Sequence, residues 1–194
     1  MRKISLTIIF IFSSLILLGG CRMEENDEYP LASIETTAGT IKIELYEDKA
    51  PITVSNFKEY ANNSFYAGTV FHRVIEGFMI QGGGFLPGRR RQPTGSPIKN
   101  EADNGLKNKR GTIAMARTSE IDSATSQFFI NTVDNTFLDH RSNDKQGYGY
   151  AVFGKVIEGM DIVDKIEKTN TTTKHGMDDW PVENIVIESV SISR

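Results

Sequence analysis

The most informative segment of this chain is Phe71-His72-Arg73-Val74-Ile75-Glu76-Gly77-Phe78-Met79-Ile80-Gln81-Gly82-Gly83. Its β-branched and aromatic residues, interrupted at Glu76-Gly77, predict two short strands, Thr69 to Val74 and Phe78 to Gln81, joined by a turn. This bend of the backbone would bring the side chains of an arginine, a glutamine, a phenylalanine and a methionine to one pocket. A cation, an amide and two apolar groups together are suited to binding a peptide. The residue types alone also fit a plain core hairpin with a solvated arginine, so both interpretations stay open at this point.

The order of these thirteen positions closely resembles the central signature of the cyclophilins, peptidyl-prolyl cis/trans isomerases built on a closed antiparallel β-barrel. A second block, Gly111 to Arg117 and Ser126 to Ile130, resembles the same family. Arg117-Thr118 is similar to its bacterial branch, since the eukaryotic branch usually has Asn and Ala there. The resemblance runs from about Ile34 to Ile192, and it implies a mainly β fold: a closed eight-stranded antiparallel β-barrel capped by two α-helices.

Patterns on either side of this stretch predict further elements. Strict alternation from Thr40 to Leu45 indicates a half-buried strand, paired with a strand near Ile34 across a turn. Pro51 is a favourable first helical residue, and apolar residues recur after it at helical spacing until Asn62-Asn63. We also predict strands at Gly111–Met115, Gln127–Asn131, Tyr150–Val156 and Ile185–Ile192, a helix at Gly159–Lys165, and a long functional or mobile loop at Gly82–Lys99.

The N-terminal residues predict export. Arg2 and Lys3 precede an apolar run from Ile4 to Leu18, and small residues then lead to Cys21, which is the order of a signal peptide. The run falls short of the ~20 apolar residues of a membrane-spanning helix, although an uncleaved anchor remains an alternative. Leu18-Gly19-Gly20-Cys21 also resembles the lipobox of bacterial lipoproteins, which implies that Cys21 carries acyl chains such as palmitate and becomes the mature N-terminus.

The predicted organisation has three parts. Residues 1–20 are a lipoprotein signal peptide, residues 21–30 are the lipidated cysteine with a flexible polar tether, and residues 31–194 are a cyclophilin-like isomerase domain. Cys21 is the single cysteine, so no intramolecular disulfide can form. Several acyl chains would anchor the protein to the outer face of a bacterial cell membrane, or on the periplasmic side where there are two membranes.

Composition narrows the class of partner. The 194 residues are 39% hydrophobic and 24% charged, as in an ordinary soluble domain. The formal net charge is −3, and the cluster Arg89-Arg90-Arg91 is interpreted as a solvated loop tip, so nucleic acid is not expected as a partner. His72, His140 and His175 match no metal-binding template, and we expect neither metal nor cofactor. With no extended apolar stripe left over, the prediction is a monomer.

Candidate site residues follow from the chemistry of proline isomerisation. Rotation about the peptide bond needs no nucleophile; it needs a group that binds the twisted amide better than the planar one. Arg73 suits this role, because its guanidinium is permanently charged and geometrically fixed. The resemblance implies that Gln81 is catalytic beside Arg73, and that proline-containing segments of unfolded or exported proteins bind to Phe78, Met79, Ala116, Arg117, Gln127, Phe129, Phe137, Leu138 and Tyr150.

Three positions depart from the family pattern. Phe137 and Tyr150 stand where many eukaryotic cyclophilins have Trp and His. Because that Trp normally helps to hold cyclosporin, tight inhibition by the drug is not implied here, while turnover need not change. Gly84 replaces the Asp that often follows the two glycines.

The sequence thus predicts a peptidyl-prolyl isomerase that assists the folding of exported proteins. Two alternatives remain. One is a membrane-tethered module that binds proline-containing segments with little turnover. The other is a holdase chaperone for unfolded exported chains.

Overall fold

The computed structural model describes residues 29–174 and 176–193. They form two helices and twelve strands. The helices are α1 (Pro51–Asn62) and α2 (Met160–Glu167). The strands are β1 (Leu31–Thr36), β2 (Gly39–Leu45), β3 (Arg73–Ile75), β4 (Met79–Gly82), β5 (Phe85–Leu86), β6 (Arg90–Arg91), β7 (Thr112–Met115), β8 (Phe128–Asn131), β9 (Val152–Glu158), β10 (Thr171–Lys174), β11 (Met177–Pro181) and β12 (Ile187–Ser193).

Eight of these strands make one antiparallel sheet in the order β12-β1-β2-β9-β7-β8-β4-β3. The sheet curls until its two ends meet, where the segment that precedes β3 bonds to the first residue of β12 and to the segment before it. There the Gly68 N–H donates to Ile187 O at 2.8 Å, the Ile187 N–H donates to Thr69 O at 2.7 Å, and the Phe71 N–H donates to Ile185 O at 3.0 Å. The predicted mainly β fold of eight antiparallel strands with two helices is confirmed.

Strand limits differ from the prediction where the sheet closes. The sequence pattern predicts a strand over residues 69–74, but β3 begins only at Arg73. Of the preceding residues, Thr69 and Phe71 bond across to Ile187 and Ile185, and only the His72 N–H donates to β4, at Gln81 O. Closure of the curled sheet therefore takes the first half of the predicted strand out of the β3–β4 ladder.

The core lies inside the curled sheet. Alternating residues of β1 and β2 are buried, as their period of two requires. Helix α1 begins at the predicted Pro51 and covers one mouth with Val54, Phe57 and Ala61, all buried. The Phe57 ring contacts those of Phe128 and Phe153, at centroid distances of 5.7 and 5.3 Å.

The N-terminus of α1 is capped by a carboxylate from a distant part of the chain. Its N-cap residue, Ala50, makes no side-chain hydrogen bond to the helix. Instead, the carboxylate of Glu101 accepts from the N–H groups of Ile52 at 3.1 Å and Thr53 at 2.8 Å, and from the Thr53 hydroxyl at 2.6 Å. An anion at this position satisfies exposed donors and complements the helix dipole.

Two small hairpins lie outside the main sheet, and the sequence interpretation did not predict them. One is β5–β6, inside the segment interpreted as a long loop, so Arg90 and Arg91 form a short strand. Their side chains and that of Arg89 are exposed, as expected of a solvated cluster. The other is β10–β11, which packs beside β3.

No helix within residues 29–174 and 176–193 is both long and apolar enough to cross a membrane. The predicted signal peptide, Cys21 and the tether up to residue 28 lie outside the described residues, as does His175.

Candidate active site

Strands β3, β4 and β8 and the ends of β7 and β9 enclose a cavity of about 110 Å³. Nine of the predicted site residues line it: Arg73, Phe78, Met79, Gln81, Ala116, Arg117, Phe129, Leu138 and Tyr150. Drug-sized pockets usually measure about 300–1,000 Å³. A cavity this small has room for one compact side chain.

The inner wall of the cavity is apolar and rigidly packed. Met79, Phe129 and Leu138 are 2%, 4% and 8% exposed, and they belong to a small hydrophobic cluster with Ala114 and Val152 that is separate from the main core. Met79 lies on β4 and Phe129 on the neighbouring β8. The sheet therefore supplies a firm apolar seat.

Register in the β3–β4 hairpin brings the cation and the amide together. Arg73 pairs directly with Gln81, so both side chains project from the same face of the sheet. Arg73 is partly exposed at the edge of the cavity, and its Nε lies 3.8 Å from the carboxylate Oδ2 of Asp179 on β11. Arg73 thus lines the cavity while its side chain stays 41% exposed to solvent.

Gln127 lies beside the cavity and is bound to Gln81. The Gln81 Nε2 donates to Gln127 Oε1 at 2.9 Å. Gly84 makes room for this contact, because a Cβ there would lie 2.5 Å from Cγ and 2.6 Å from Cδ of Gln127. The departure at position 84 therefore has a structural consequence: the missing side chain lets the Gln127 amide reach Gln81.

A second cavity, of about 200 Å³, adjoins the first. The two share Gln81, Ala116 and Arg117. The second is also lined by Arg91, Thr118, Ser123, Thr125 and Gln127. A peptide bound with one residue in the first cavity can therefore place a neighbouring residue in the second.

The Arg117 side chain is held against the cavity wall. Its Nε donates to Gly149 O at 2.9 Å, and its Cζ lies 4.8 Å from the centre of the Tyr150 ring. Tyr150 in turn meets Phe129 edge-on at 5.7 Å. The main-chain N–H of Ala116 donates to Gln127 O at 2.9 Å, so it is not available to a substrate in this arrangement.

Phe137 lies at the rim and not in the cavity wall. Its ring stacks on Phe78 with centroids 5.6 Å apart and an interplanar angle of 28°. The side chain is 59% exposed, the most of any large apolar residue in the described part of the chain. Phe137 thus extends the apolar surface of Phe78 outward.

His72 is adjacent to Arg73 in sequence but does not line the cavity. It is 1% exposed, and its ring lies 4.7 Å from that of Phe85 and 6.1 Å from that of Trp180, measured between centroids. The pKa of His72 is lowered from 6.5 to about 4, mainly by burial; hydrogen bonds to Val70 and Gln127 oppose this shift and the charge of Arg73 adds to it. The described residues contain no group of His, Cys, Asp and Glu placed to bind a metal ion.

Some residues around the site were not singled out from the sequence. Asp179 stands beside Arg73, and Arg91, Thr118, Ser123 and Thr125 line the second cavity. The cluster Arg89-Arg90-Arg91 was noticed, but nothing in its sequence shows that only Arg91 reaches the cavity. Asp179 could have been noticed only through the pairing of β10 with β11, which brings it beside β3.

Comparison with known proteins identifies the family. The family model of the cyclophilin type peptidyl-prolyl cis-trans isomerase/CLD matches residues 31–192. Peptidyl-prolyl cis-trans isomerase A of Dickeya dadantii is 55% identical over 159 residues, which are 82% of this chain and 82% of that protein. Peptidyl-prolyl cis-trans isomerase B of Escherichia coli is 54% identical over 163 residues, which are 84% of this chain and 99% of that protein.

A solved structure agrees with this assignment. The cyclophilin type peptidyl-prolyl cis-trans isomerase of Cryptosporidium parvum has a TM-score of 0.70 at 26% identity, covering 86% of this chain and 98% of that one. A second structure of that protein, determined in the presence of the dipeptide Ala-Pro, matches with the same TM-score and identity. The fold, the sequence identity and the cavity with its arginine lead to one conclusion: the chain belongs to the cyclophilin-type peptidyl-prolyl cis/trans isomerases.

Proposed function

We propose that this isomerase uses Arg73 to stabilise the twisted amide of an X-Pro bond, with no covalent intermediate. The barrier to rotation of a peptide bond is about 18–20 kcal/mol, because the nitrogen lone pair is conjugated with the carbonyl. As the bond rotates, the prolyl nitrogen regains its lone pair. A guanidinium fixed beside it can donate to that lone pair and attract the carbonyl oxygen, so it binds the transition state more strongly than the ground state.

The observation that carries this proposal is the position of Arg73 at the edge of a cavity whose inner wall is apolar and buried. Met79, Phe129 and Leu138 give the proline ring a seat of about 110 Å³. Gln81, directly opposite Arg73 in the ladder, is placed to bind the backbone of the substrate. Electrostatic interactions are stronger where water is excluded, so a cation beside such a seat acts with more effect than one in bulk solvent.

The test is cis-to-trans isomerisation of a short Xaa-Pro peptide by residues 22–194 and by two variants. Arg73→Ala removes the cation, and we expect kcat/KM to fall by about 100-fold or more, as when a preorganised donor is removed from other active sites. Arg73→Lys keeps the charge but loses the planar fork, and should recover only a small part of the loss. Full turnover by folded Arg73→Ala would refute the role of Arg73.

The same assay separates the enzyme from the other two candidate functions. A folded wild-type fragment that binds proline-containing peptides without accelerating isomerisation would be a binding module. If Arg73→Ala loses turnover but still protects unfolded proteins from aggregation, holdase activity exists beside isomerisation and uses surface outside the cavity.

We further propose that the enzyme is a monomeric lipoprotein acting on exported proteins outside the cytoplasm. The support comes from the sequence: a signal-peptide pattern over residues 1–20 and a lipobox that ends in the single cysteine, Cys21. The proposed division into signal peptide, tether at residues 21–30 and isomerase domain at residues 31–194 agrees with the start of the family match at residue 31.

Membrane attachment can be tested by labelling cells with a palmitate analogue and separating membranes from soluble protein. We expect label on the wild-type chain and its recovery with the membranes. Cys21→Ser should lose both, because a single cysteine is the acceptor of the acyl chains. Membrane recovery of unlabelled Cys21→Ser would favour an uncleaved anchor instead.

A further inference from the structure

We propose that Asp179 is a positioning residue for Arg73: it holds the guanidinium by its Nε edge and so leaves the two terminal amino groups to the substrate. The inference rests on the proposed role of Arg73 in catalysis. It adds a residue from the β10–β11 hairpin, none of whose described residues lines the cavity. Asp179 is thus assigned to act through Arg73 and not by contact with the substrate.

The geometry of the pair supports this role. Asp179 Oδ2 lies 3.8 Å from Nε of Arg73, on the side of the guanidinium that joins the side-chain stem. Within residues 29–174 and 176–193 this is the one ion pair formed by Arg73. Both side chains are partly exposed, 41% for Arg73 and 39% for Asp179, so the attraction is screened by water and salt. A contact of this kind restricts the orientation of a long side chain without neutralising the edge that faces the cavity.

The backbone around Asp179 is built to hold the carboxylate in place. Thr172 pairs with Trp180 and Lys174 with Met177, so Asp178 and Asp179 together oppose a single residue in a β-bulge. Asp179 has φ of +59°, a left-handed conformation that Asp and Asn adopt more readily than other side-chain residues. Bulges of this kind redirect side chains. This one turns a carboxylate toward β3.

Packing of one buried side chain fixes the hairpin beside β3. Trp180, next to Asp179, is fully buried and meets the rings of His72 and Phe85, while its Nε1 donates to Asn184 Oδ1 at 3.1 Å. His72 immediately precedes Arg73, and Trp180 immediately follows Asp179. The contact between these two rings therefore holds the backbone segments of the ion pair next to each other. The Thr173 hydroxyl donates to Asp178 Oδ1 at 2.7 Å, a contact within the hairpin that does not involve β3.

Positioning predicts a specific kinetic pattern. Without Asp179 the guanidinium keeps its charge and its place on β3, but it samples more orientations, so fewer of them suit the twisted amide. The apolar seat for the proline ring is untouched. The loss should therefore appear in kcat and not in KM.

The test compares full-length wild-type protein with Asp179→Asn and Asp178→Asn. Asparagine tolerates the left-handed conformation, so Asp179→Asn removes the charge and keeps the bulge. We expect kcat to fall two- to fivefold with KM unchanged within a factor of two; this corresponds to about 0.4–1 kcal/mol at about 1.36 kcal/mol per decade. Asp178→Asn removes the neighbouring charge and weakens the hairpin contact to Thr173, and it should leave kcat unchanged.

Two further readouts respond to positioning and not to general stability. The ratio of wild-type to Asp179→Asn kcat should approach one at about 1 M salt, where the Debye length is about 3 Å. In NMR spectra of the wild type, the Nε–H group of Arg73 should show a higher order parameter than in Asp179→Asn.

Equal kcat for wild type and Asp179→Asn, a higher kcat for the variant, or an equal loss in Asp178→Asn would each overturn the inference. Arg73→Ala separates this failure from failure of the proposed function. If Arg73→Ala is inactive while Asp179→Asn is fully active, Arg73 keeps its role and only the assignment of Asp179 is wrong.

Discussion

Arg73 and Gln81 stand directly opposite each other in the β3–β4 ladder, and both line the cavity. Replacing Gln81 by Ala leaves the cation and the apolar seat but removes an amide that can bind the substrate backbone and that now bonds to Gln127. A hydrogen bond of this kind contributes about 0.5–1.5 kcal/mol, so we expect kcat/KM to fall by up to about tenfold. Peptide isomerisation assays measure this. Gln81 is only partly buried, so an unchanged Tm should accompany the loss; a fall in Tm with normal activity would contradict this account.

Gly84→Ala tests the contact between Gln81 and Gln127 from the opposite side. A Cβ at position 84 would overlap the Gln127 side chain, with the nearest atom at 2.5 Å, so the amide must move away. The moving group is the end of a flexible side chain and Gly84 has no left-handed φ, so the expected change in unfolding free energy is below about 1 kcal/mol. We expect a several-fold fall in kcat/KM.

A matched control for Gly84→Ala is Gly77→Ala. Gly77 lies in the β3–β4 turn with φ of +70°, and no atom lies within 4 Å of a Cβ built there. This change should lower stability by about 1–3 kcal/mol through backbone strain and leave the cavity intact. If Gly84→Ala retains full activity, the Gln81–Gln127 contact is not needed for turnover.

The predictable parts of this molecule are those that depend on local pattern. Alternation predicted β2, the turn before it predicted its pairing with β1, and a proline followed by helical spacing predicted α1 almost to the residue. The order of residues 71–83 placed Arg73, Gln81 and Met79 correctly on one hairpin. In each case neighbours in sequence carry the information.

The parts that could not be predicted depend on contacts between distant segments. Glu101 caps α1 from 48 and 49 residues away, and nothing near Pro51 identifies it. The β10–β11 hairpin is short and rich in polar residues, so neither period nor composition marks it. Asp179 reaches Arg73 only because Trp180 is buried beside His72, a packing relation that a sequence pattern does not contain.

Phe137→Trp addresses the departure at the rim of the site. Phe137 already stacks on Phe78 and is largely exposed, so a larger ring fits without displacing the cavity wall. An indole adds apolar area and an N–H donor where many eukaryotic cyclophilins carry Trp, and we expect cyclosporin to bind at least several-fold more tightly. Titration of enzyme inhibition measures this. Substrate kcat/KM should stay within about twofold, and unchanged cyclosporin affinity would show that position 137 does not limit drug binding.

Burial of His72 makes stability depend on pH. Its folded pKa of about 4 lies below the ordinary value of 6.5, so between these values the unfolded chain binds a proton that the folded chain excludes. The contribution of neutral, buried His72 to the free energy of unfolding is therefore complete above about pH 6.5, and it is lost as the pH falls toward 4. Between pH 7.5 and pH 5 this amounts to about 2 kcal/mol of unfolding free energy.

Urea denaturation of the wild type and of His72→Gln at both pH values tests this dependence. The variant should be less stable than the wild type at pH 7.5, because it loses ring contacts with Phe85 and Trp180. Because glutamine does not titrate, the variant should lose less stability than the wild type on acidification. Carboxylates with lowered pKa, such as those of Glu35 and Asp164, lose their contributions at lower pH in both proteins and so cancel in the comparison. Equal losses in the two proteins between pH 7.5 and pH 5 would show that His72 is not the group whose burial sets this dependence.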